Sequence, residues 1–482
     1  MAQVHPSGTG PARAARRRVR GPVRALFAML LTALVVGGAV PYVSGNGRAY
    51  LSYLVLAERD DAAGAARAGA ETRAAGGQVV EEYPQIGAVL AYAAGGFADK
   101  VRARPGIAAV GATRTAPVVG PPRPLDGAGD FAAGTERAGR SSADRAGGAE
   151  RAGGAQQTGG VERAGGAQRA GGTDTAELSE RQEDTTLTVP DPGERDAWNL
   201  AMLGAPGARA GDATAAPGGP AAAAGPTPDA LHKVLVAVLD SGVDDTHPDL
   251  RAAVDPRASA SCADGRPDPR SGSWRPDPGV GESGHGTHVA GIVGAMRDGR
   301  GVTGVAPGVR IAAVRLLGPL GQYYAENIVC GMLWAADHGA RAINNSYFAD
   351  PWKYNCPEDR DQAALVAAVG RAAAYAQRKG AVVVASAGND GQDLGAARTD
   401  ERSPNDRVSG PAQSRRLGTE CIRLPGELPG VVTVTAVNRD GRPSSYSNYG
   451  RGRVSLAAPG GDPDARNGRV CSVPYSENQP SS

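Results

Sequence analysis

At 482 residues the chain is long enough for one large core with accessory segments. Its formal net charge of +2 gives no electrostatic reason to expect nucleic acid or a strongly acidic partner. Aromatic residues make up only 4 % and glycine alone numbers 70, so much of the chain must be loop or low-complexity sequence rather than core.

In chain order, the first feature is an export signal. Arg16, Arg17, Arg18, Arg20 and Arg24 precede an apolar run over Ala25–Val40, and small residues follow where a signal peptidase could cut. The run, roughly 16 residues, is shorter than the roughly 20 that span a bilayer, so residues 1–45 read as a cleaved signal peptide. Residues 46–118 then form a small unit. "AYLSYLVL" reads as a strand, Asp60 to Ala75 as an Ala-rich helix, and "GQVVEEY" and "IGAVLAY" as two strands. Phe97 to Arg104 reads as a short helix and "GIAAVGA" as a last strand. The order β-α-β-β-α-β is the ferredoxin-like, split βαβ pattern.

Residues 119–195 do not read as a fold. Asp144 to Thr173 repeats one hexapeptide, "DRAGGA ERAGGA QQTGGV ERAGGA QRAGGT". A β-helix built on such a repeat needs apolar residues to stack inside, and only Ala and one Val are offered, so the stretch reads as a disordered linker. A second Gly/Pro/Ala stretch runs from Gly204 to Pro228.

From about residue 196 to 482 the texture is α/β. "KVLVAVLD" is a continuous apolar run, the mark of a strand buried on both faces. The helix after His285 carries Val289, Ile292, Val293 and Met296 as its apolar face. Strands follow at "RIAAVRLL", "RAINNS", "AVVVASA" and "GVVTVTAV", with helices over Ala325 to Asp337 and Asp359 to Arg378. This alternation implies a doubly wound parallel sheet, whose ligands bind beyond the carboxyl ends of the strands. Five cysteines, Cys262, Cys330, Cys356, Cys421 and Cys471, fit no zinc spacing. In an exported chain some should pair; Cys356 with Cys421 is the pair expected, and the odd count leaves one over.

The stretch "ESGHGTHVAG" admits several chemistries. Gly279 to Gly284 matches G-x-G-x-x-G but follows no strand and lacks the later acid, which excludes a dinucleotide loop. His285 and His288 could share a metal, but the Glu of H-E-x-x-H and a third ligand are missing, so no metal site is assigned. His288, one turn inside the helix, reads as a packed histidine. Asp240 closes the first strand of the sheet; alone it reads as a turn residue. With His285 at a helix N-terminus on the same sheet edge, it reads as the carboxylate that orients a general base. Asn389, after "AVVVASAG", could donate to a developing oxyanion.

"VAVLDSGVDDTHPDL", "GHGTHVAGIVGA" and "VVVASAGN" stand in that order, with "GVAPGVRIAAVRLLGPLGQ" and "SNYG…VSLAAPGG" between and after. Together they resemble the signature blocks of the subtilisin-like serine proteases, the subtilases, over about Trp198 to Gly461. The resemblance implies a triad aspartate at Asp240, a triad histidine at His285 and an oxyanion asparagine at Asn389. It implies an extended polypeptide substrate held strand-like between Leu317–Gly321 (Leu317, Gly318, Gly321) and Ser346–Phe348 (Ser346, Tyr347, Phe348). Tyr347 and Phe348 stand where the family has small or aliphatic residues, so a narrower pocket is expected. "ADPWKYNCPEDRD" reads as a wet surface loop tied down by Cys356. Residues 46–118 resemble the propeptide that folds and inhibits such enzymes, and structural calcium accompanies many of them. The implied protein is a secreted or cell-envelope zymogen.

The Gly-Thr-Ser block that supplies the family's nucleophile finds no match. Ser472, Ser476, Ser481 and Ser482 lack the preceding glycine and the following apolar helix. The expectation is therefore a precursor represented without its serine block. The alternative is an inactive remnant acting as a peptide-binding or inhibitor-like protein. A dinucleotide-binding enzyme on the same sheet is a third reading, and no NAD binding is expected.

Overall fold

The computed structural model describes residues 50–117, 190–205, 226–281, 283–407, 414–462 and 468–474. The expected signal peptide and the hexapeptide repeat lie outside these residues.

Residues 50–117 contain β1 (Leu51–Ala57), α1 (Ala62–Ala74), β2 (Gln78–Tyr83), β3 (Ala88–Ala93), α2 (Phe97–Arg102) and β4 (Ile107–Ala112). The four strands form an antiparallel sheet in the order β2-β3-β1-β4, the ferredoxin-like topology that the sequence predicts. Asp61 starts α1 by accepting the Gly64 amide at 2.8 Å, an N-cap that satisfies one orphan donor. The sheet is apolar on both faces. Tyr53, Val55, Val89 and Ala91 cover Ala68 of α1 and Phe97 and Val101 of α2. Leu54, Leu56 and Leu90 join instead the core of the larger sheet and its helices.

A short 3-10 turn, Pro192–Asp196, and two short helices, α3 (Trp198–Leu203) and α4 (Pro228–His232), lead into the second sheet. Residues 191–195, placed in the linker by composition, are instead anchored to the second sheet's unit. The Asp191 carboxylate accepts the backbone amides of Asp298, Gly299 and Arg300, and Glu194 pairs with Arg297 at 2.6 Å.

Next come β5 (Leu235–Asp240), β6 (Ala260–Ser261), α5 (His285–Gly294), β7 (Arg310–Arg315), α6 (Ala325–Asp337), β8 (Ala342–Asn345), α7 (Arg360–Arg378) and β9 (Val382–Ser386). A small hairpin, β10 (Arg398–Asp400) with β11 (Arg415–Leu417), precedes β12 (Val432–Val437) and β13 (Leu456–Pro459). Seven strands form a wholly parallel sheet in the order β13-β12-β9-β8-β5-β7-β6. β5, between β8 and β7, pairs with β7 along its whole length and with β8 over Val236–Leu239. Its Leu235, Ala237 and Leu239 meet Ile328, Met332, Leu365 and Ala368 of α6 and α7 in one core, while Val238 faces α5.

Two expectations need correction. The buried face of α5 is Gly286, Thr287, Ala290, Gly291 and Gly294, not the predicted apolar stripe, and Val289, Ile292, Val293 and Met296 are only partly covered. Close approach to the sheet selects the small side. The segment from Ala349 to Cys356 is not a wet loop, because most of it is buried. Its polar groups find partners inside: Asn355 pairs with Ile422 through both backbone bonds, and Lys353 pairs with Asp390. The expected disulfide Cys356–Cys421 is formed, and a second one, Cys262–Cys330, ties the end of β6 to α6. Cys471 is free and exposed.

Candidate active site

Three adjacent parallel strands deliver the expected residues to one sheet edge. Asp240 is the last residue of β5, Ser346 follows β8, and Asn389 lies three positions past β9. His285 opens α5 opposite them. The glycine after it explains how the helix comes so close. A Cβ on Gly286 would lie 2.3 Å from the Gly242 carbonyl oxygen and 3.0 Å from Asp240 Cβ, so only glycine fits. Ser241 adds a clasp: its hydroxyl donates to the Ser283 carbonyl at 2.6 Å and accepts the Gly286 amide at 2.9 Å.

In this clasp His285 Nδ1 stands 2.7 Å from Asp240 Oδ1. The carboxylate is fully buried, whereas the imidazole is 45 % exposed. Asp240 Oδ1 also accepts the Ser241 amide at 2.7 Å and the Tyr323 hydroxyl at 3.3 Å. These contacts fix a buried acceptor against one ring nitrogen and leave the other edge of the ring toward an open cavity.

The cavity has a volume of about 620 Å³, and Gly284, His285, Ser346, Phe348 and Asn389 are among its lining residues. Asn389 is exposed at its edge. The turn that carries it is tied down by Asn448, fully buried, which accepts the amides of Asp390 and Gln392 and donates to the Ala387 carbonyl at 3.0 Å. His288, expected to pack, is instead exposed and also lines the cavity. Three residues after His285, it shares the open helix face. Burial lowers its pKa, and the neighbouring His285 adds to that, while Asp240 acts in the opposite sense.

The two expected substrate segments differ. Ser346, Tyr347 and Phe348 line the cavity. The Tyr347 ring stacks on Tyr323 at 4.8 Å and its hydroxyl donates to Asn345 at 2.6 Å. Leu317, Gly318 and Gly321 are not among the lining residues. Gly321 donates to the Gly318 carbonyl and Gly318 to the Gln322 carbonyl, which closes this stretch into a tight turn.

Sequence reasoning missed Ser241, Tyr323, Asp350, Lys353, Asp390, Arg402 and Arg423, of which all but Ser241 line the cavity. Asp390 follows Asn389 directly, and Arg423 interrupts the otherwise apolar "CIRLPG"; a charge within an apolar stretch is a signal that could have been read. For calcium, the one tight group of ligand-type side chains among the described residues is Cys356, Glu358 and Cys421. Its two sulfurs are bonded to each other, so it offers no oxygen cage for a hard cation.

A family model described as "Subtilase family" matches residues 232–481. Fervidolysin from Fervidobacterium pennivorans is 30 % identical over 236 residues, covering 47 % of this chain and 27 % of that protein. Subtilisin Savinase from Lederbergia lenta is 30 % identical over 227 residues, covering 47 % of this chain and 64 % of that protein. The chain thus spans less than two thirds of each of these relatives. Among solved structures, an epidermin leader peptide processing serine protease from Staphylococcus aureus shares the fold. It has a TM-score of 0.50 and 18 % identity, covering 86 % of this chain and 75 % of that one.

Proposed function

Because the chain belongs to the subtilase family, we propose that it is the precursor of an exported serine endopeptidase. The observation that carries this reading is the 2.7 Å contact of His285 Nδ1 with the buried Asp240 carboxylate at the mouth of a cavity edged by Asn389. An Nδ1–H donated to Asp240 leaves Nε2 as the basic nitrogen. Nε2 takes the proton of a serine hydroxyl as its oxygen attacks the scissile carbonyl, and returns that proton to the leaving amine. The Asn389 amide donates to the oxyanion of the tetrahedral intermediate. The serine is assigned to no residue of this chain, since no Gly-Thr-Ser triplet occurs in the sequence.

Residues 46–118 act as the intramolecular inhibitor. Supporting this, the segment after β4 runs onto the catalytic unit: Arg114 pairs with Glu326, and Thr115 and Ala116 donate their amides to Asp406. Export is supported by two disulfides, which persist in oxidising compartments.

The test is hydrolysis of a quenched peptide by the protein expressed with whatever the gene encodes after Ser482. Activity lost in His285→Ala and reduced about 10²- to 10³-fold in Asn389→Ala supports the reading. Activity unchanged in His285→Ala overturns it. A reading frame that ends at Ser482 leaves peptide binding alone.

A further inference from the structure

The cavity beside His285 holds a charge that the hydrolytic machinery does not use. Arg423 lines it and is only 6 % exposed, yet its Nε has no acceptor. Every carboxylate nearby is engaged elsewhere. Asp390 pairs with Lys353. Asp350 accepts the Tyr323 amide at 2.5 Å and the Asn405 side-chain amide at 2.6 Å. Glu427 binds both terminal nitrogens of Arg398, at 2.6 and 3.2 Å, and takes only the backbone amide of Arg423.

The Arg423 guanidinium instead lies 5.0 Å from the Phe348 ring centroid, against one wall of the cavity. It also sits under the turn that bears Asn389. A Cβ on Gly388 would come within 3.0 Å of Arg423 Cζ, and the residue's φ of +106° already favours glycine. Burial pushes the Arg423 pKa down, while Asp390, Tyr354, Glu427 and Asp350 act against that. Arg402 brings a second, exposed cation to the same cavity. Among the lining groups Lys353, Arg402 and Arg423 face Asp350 and Asp390, an excess of one positive charge.

A desolvated cation without an anionic partner is unfavourable in the empty site and becomes favourable when a ligand supplies the partner. We propose that this cavity receives the side chain preceding the scissile bond and selects a carboxylate, Asp or Glu, which Arg423 holds. Phe348 covers the methylene stem, and Arg402 attracts the charge from outside. The proposal rests on the reading of this cleft as a peptide site and adds the class of peptide.

The test is calorimetric titration of the 482-residue chain with acetyl-Ala-Ala-Pro-Xaa amides, Xaa being Glu, Gln, Leu or Lys. A fifth peptide, acetyl-Ala-Ala-Pro-Ala with a free carboxyl terminus, separates a side-chain carboxylate from a chain end. The Glu amide should bind at least about tenfold more tightly than its isostere Gln, and Lys should bind weakest. Arg423→Gln should abolish the Glu advantage and leave the Leu peptide's affinity within about twofold. The wild-type series decides the matter even where the variant does not fold. Equal affinity for Glu and Gln amides overturns the proposal and leaves the peptide cleft standing, as does tightest binding of the free carboxyl terminus. Failure of every peptide to bind overturns both.

Discussion

Arg114 is the residue through which the N-terminal unit should be released most easily. Its guanidinium donates to Glu326 Oε1 through Nε at 3.1 Å and Nη2 at 2.8 Å, and it lies 4.1 Å from the Tyr324 ring centroid. Glu326 is fully buried and receives one other hydrogen bond, from Ser52 at 3.1 Å, while its Oε2 has none. Arg114→Ala therefore strands a carboxylate in the interface with a single neutral donor. Breaking a buried pair in this way costs about 3–5 kcal/mol, and losing the ring contact adds up to about 1–2. The assay is a chain with a protease site placed in the hexapeptide linker, cut after folding, and the dissociation constant of the two parts measured by dilution. The expected loss of affinity is on the order of 10²- to 10⁵-fold. Arg114→Met with Glu326→Gln, which removes the charge as well as its partner, should recover at least half of that in free-energy terms. A loss below about tenfold for Arg114→Ala, or no recovery in the double variant, refutes the claim that this pair anchors the interface.

Three further outcomes follow from the same structure. Gly286→Ala should cost about 1–3 kcal/mol in denaturant unfolding and, in a variant crystal structure, lengthen the 2.7 Å His285–Asp240 contact, since the new methyl meets the Gly242 carbonyl at 2.3 Å. Glu81, pushed up by burial from 4.5 to about 7 against the pull of Arg266, favours the folded state fully below about pH 4.5 and loses that contribution as pH rises through about 7. Glu81→Gln should thus flatten the fall in urea midpoint between pH 5 and 8, an effect of at most about 3 kcal/mol. Replacing Cys356 and Cys421 together by serine should cost up to about 4 kcal/mol, because the bond closes a loop of sequence separation 65. Equal unfolding midpoints with and without reductant would show that the bond does not stabilise the fold.

The sheet was legible because β5, β8 and β9 are apolar runs whose last residues point to one edge. That placed Asp240 and Asn389 at the sheet edge from the sequence, while Ser346 was implied only by the family resemblance. What stayed hidden was set by partners distant in sequence or by small side chains. The helix after His285 shows an apolar period, yet hydropathy cannot register that a face of Gly286, Ala290, Gly291 and Gly294 lets a helix approach a strand end. His288 was misplaced for the same reason. The Ala349 to Cys356 segment looked wet because Asp350, Lys353 and Asn355 are polar, but their partners Asn405, Asp390 and Ile422 are 55, 37 and 67 positions away. Polarity alone marks a residue as exposed only while its partner is unknown. The turn at Leu317 to Gly321 stayed hidden because it is closed by backbone bonds that composition does not reveal.

The two halves of the site are held by different kinds of structure, and this separates what each can vary. Asp240 and His285 are fixed by a strand end, a helix start and the Ser241 clasp, all within the central sheet. Moving either atom requires moving β5 or α5. Arg423, Lys353 and Asp350 sit on two irregular segments joined by the Cys356–Cys421 bond and the Asn355–Ile422 bridge. Such segments tolerate substitution without disturbing the sheet, because their order comes from cross-links rather than from strand pairing. A change of charge at Arg423 should therefore alter which peptide binds while leaving the His285–Asp240 distance as it is. On the proposed reading, charge selection would reside in the linked loops and proton transfer at the sheet edge.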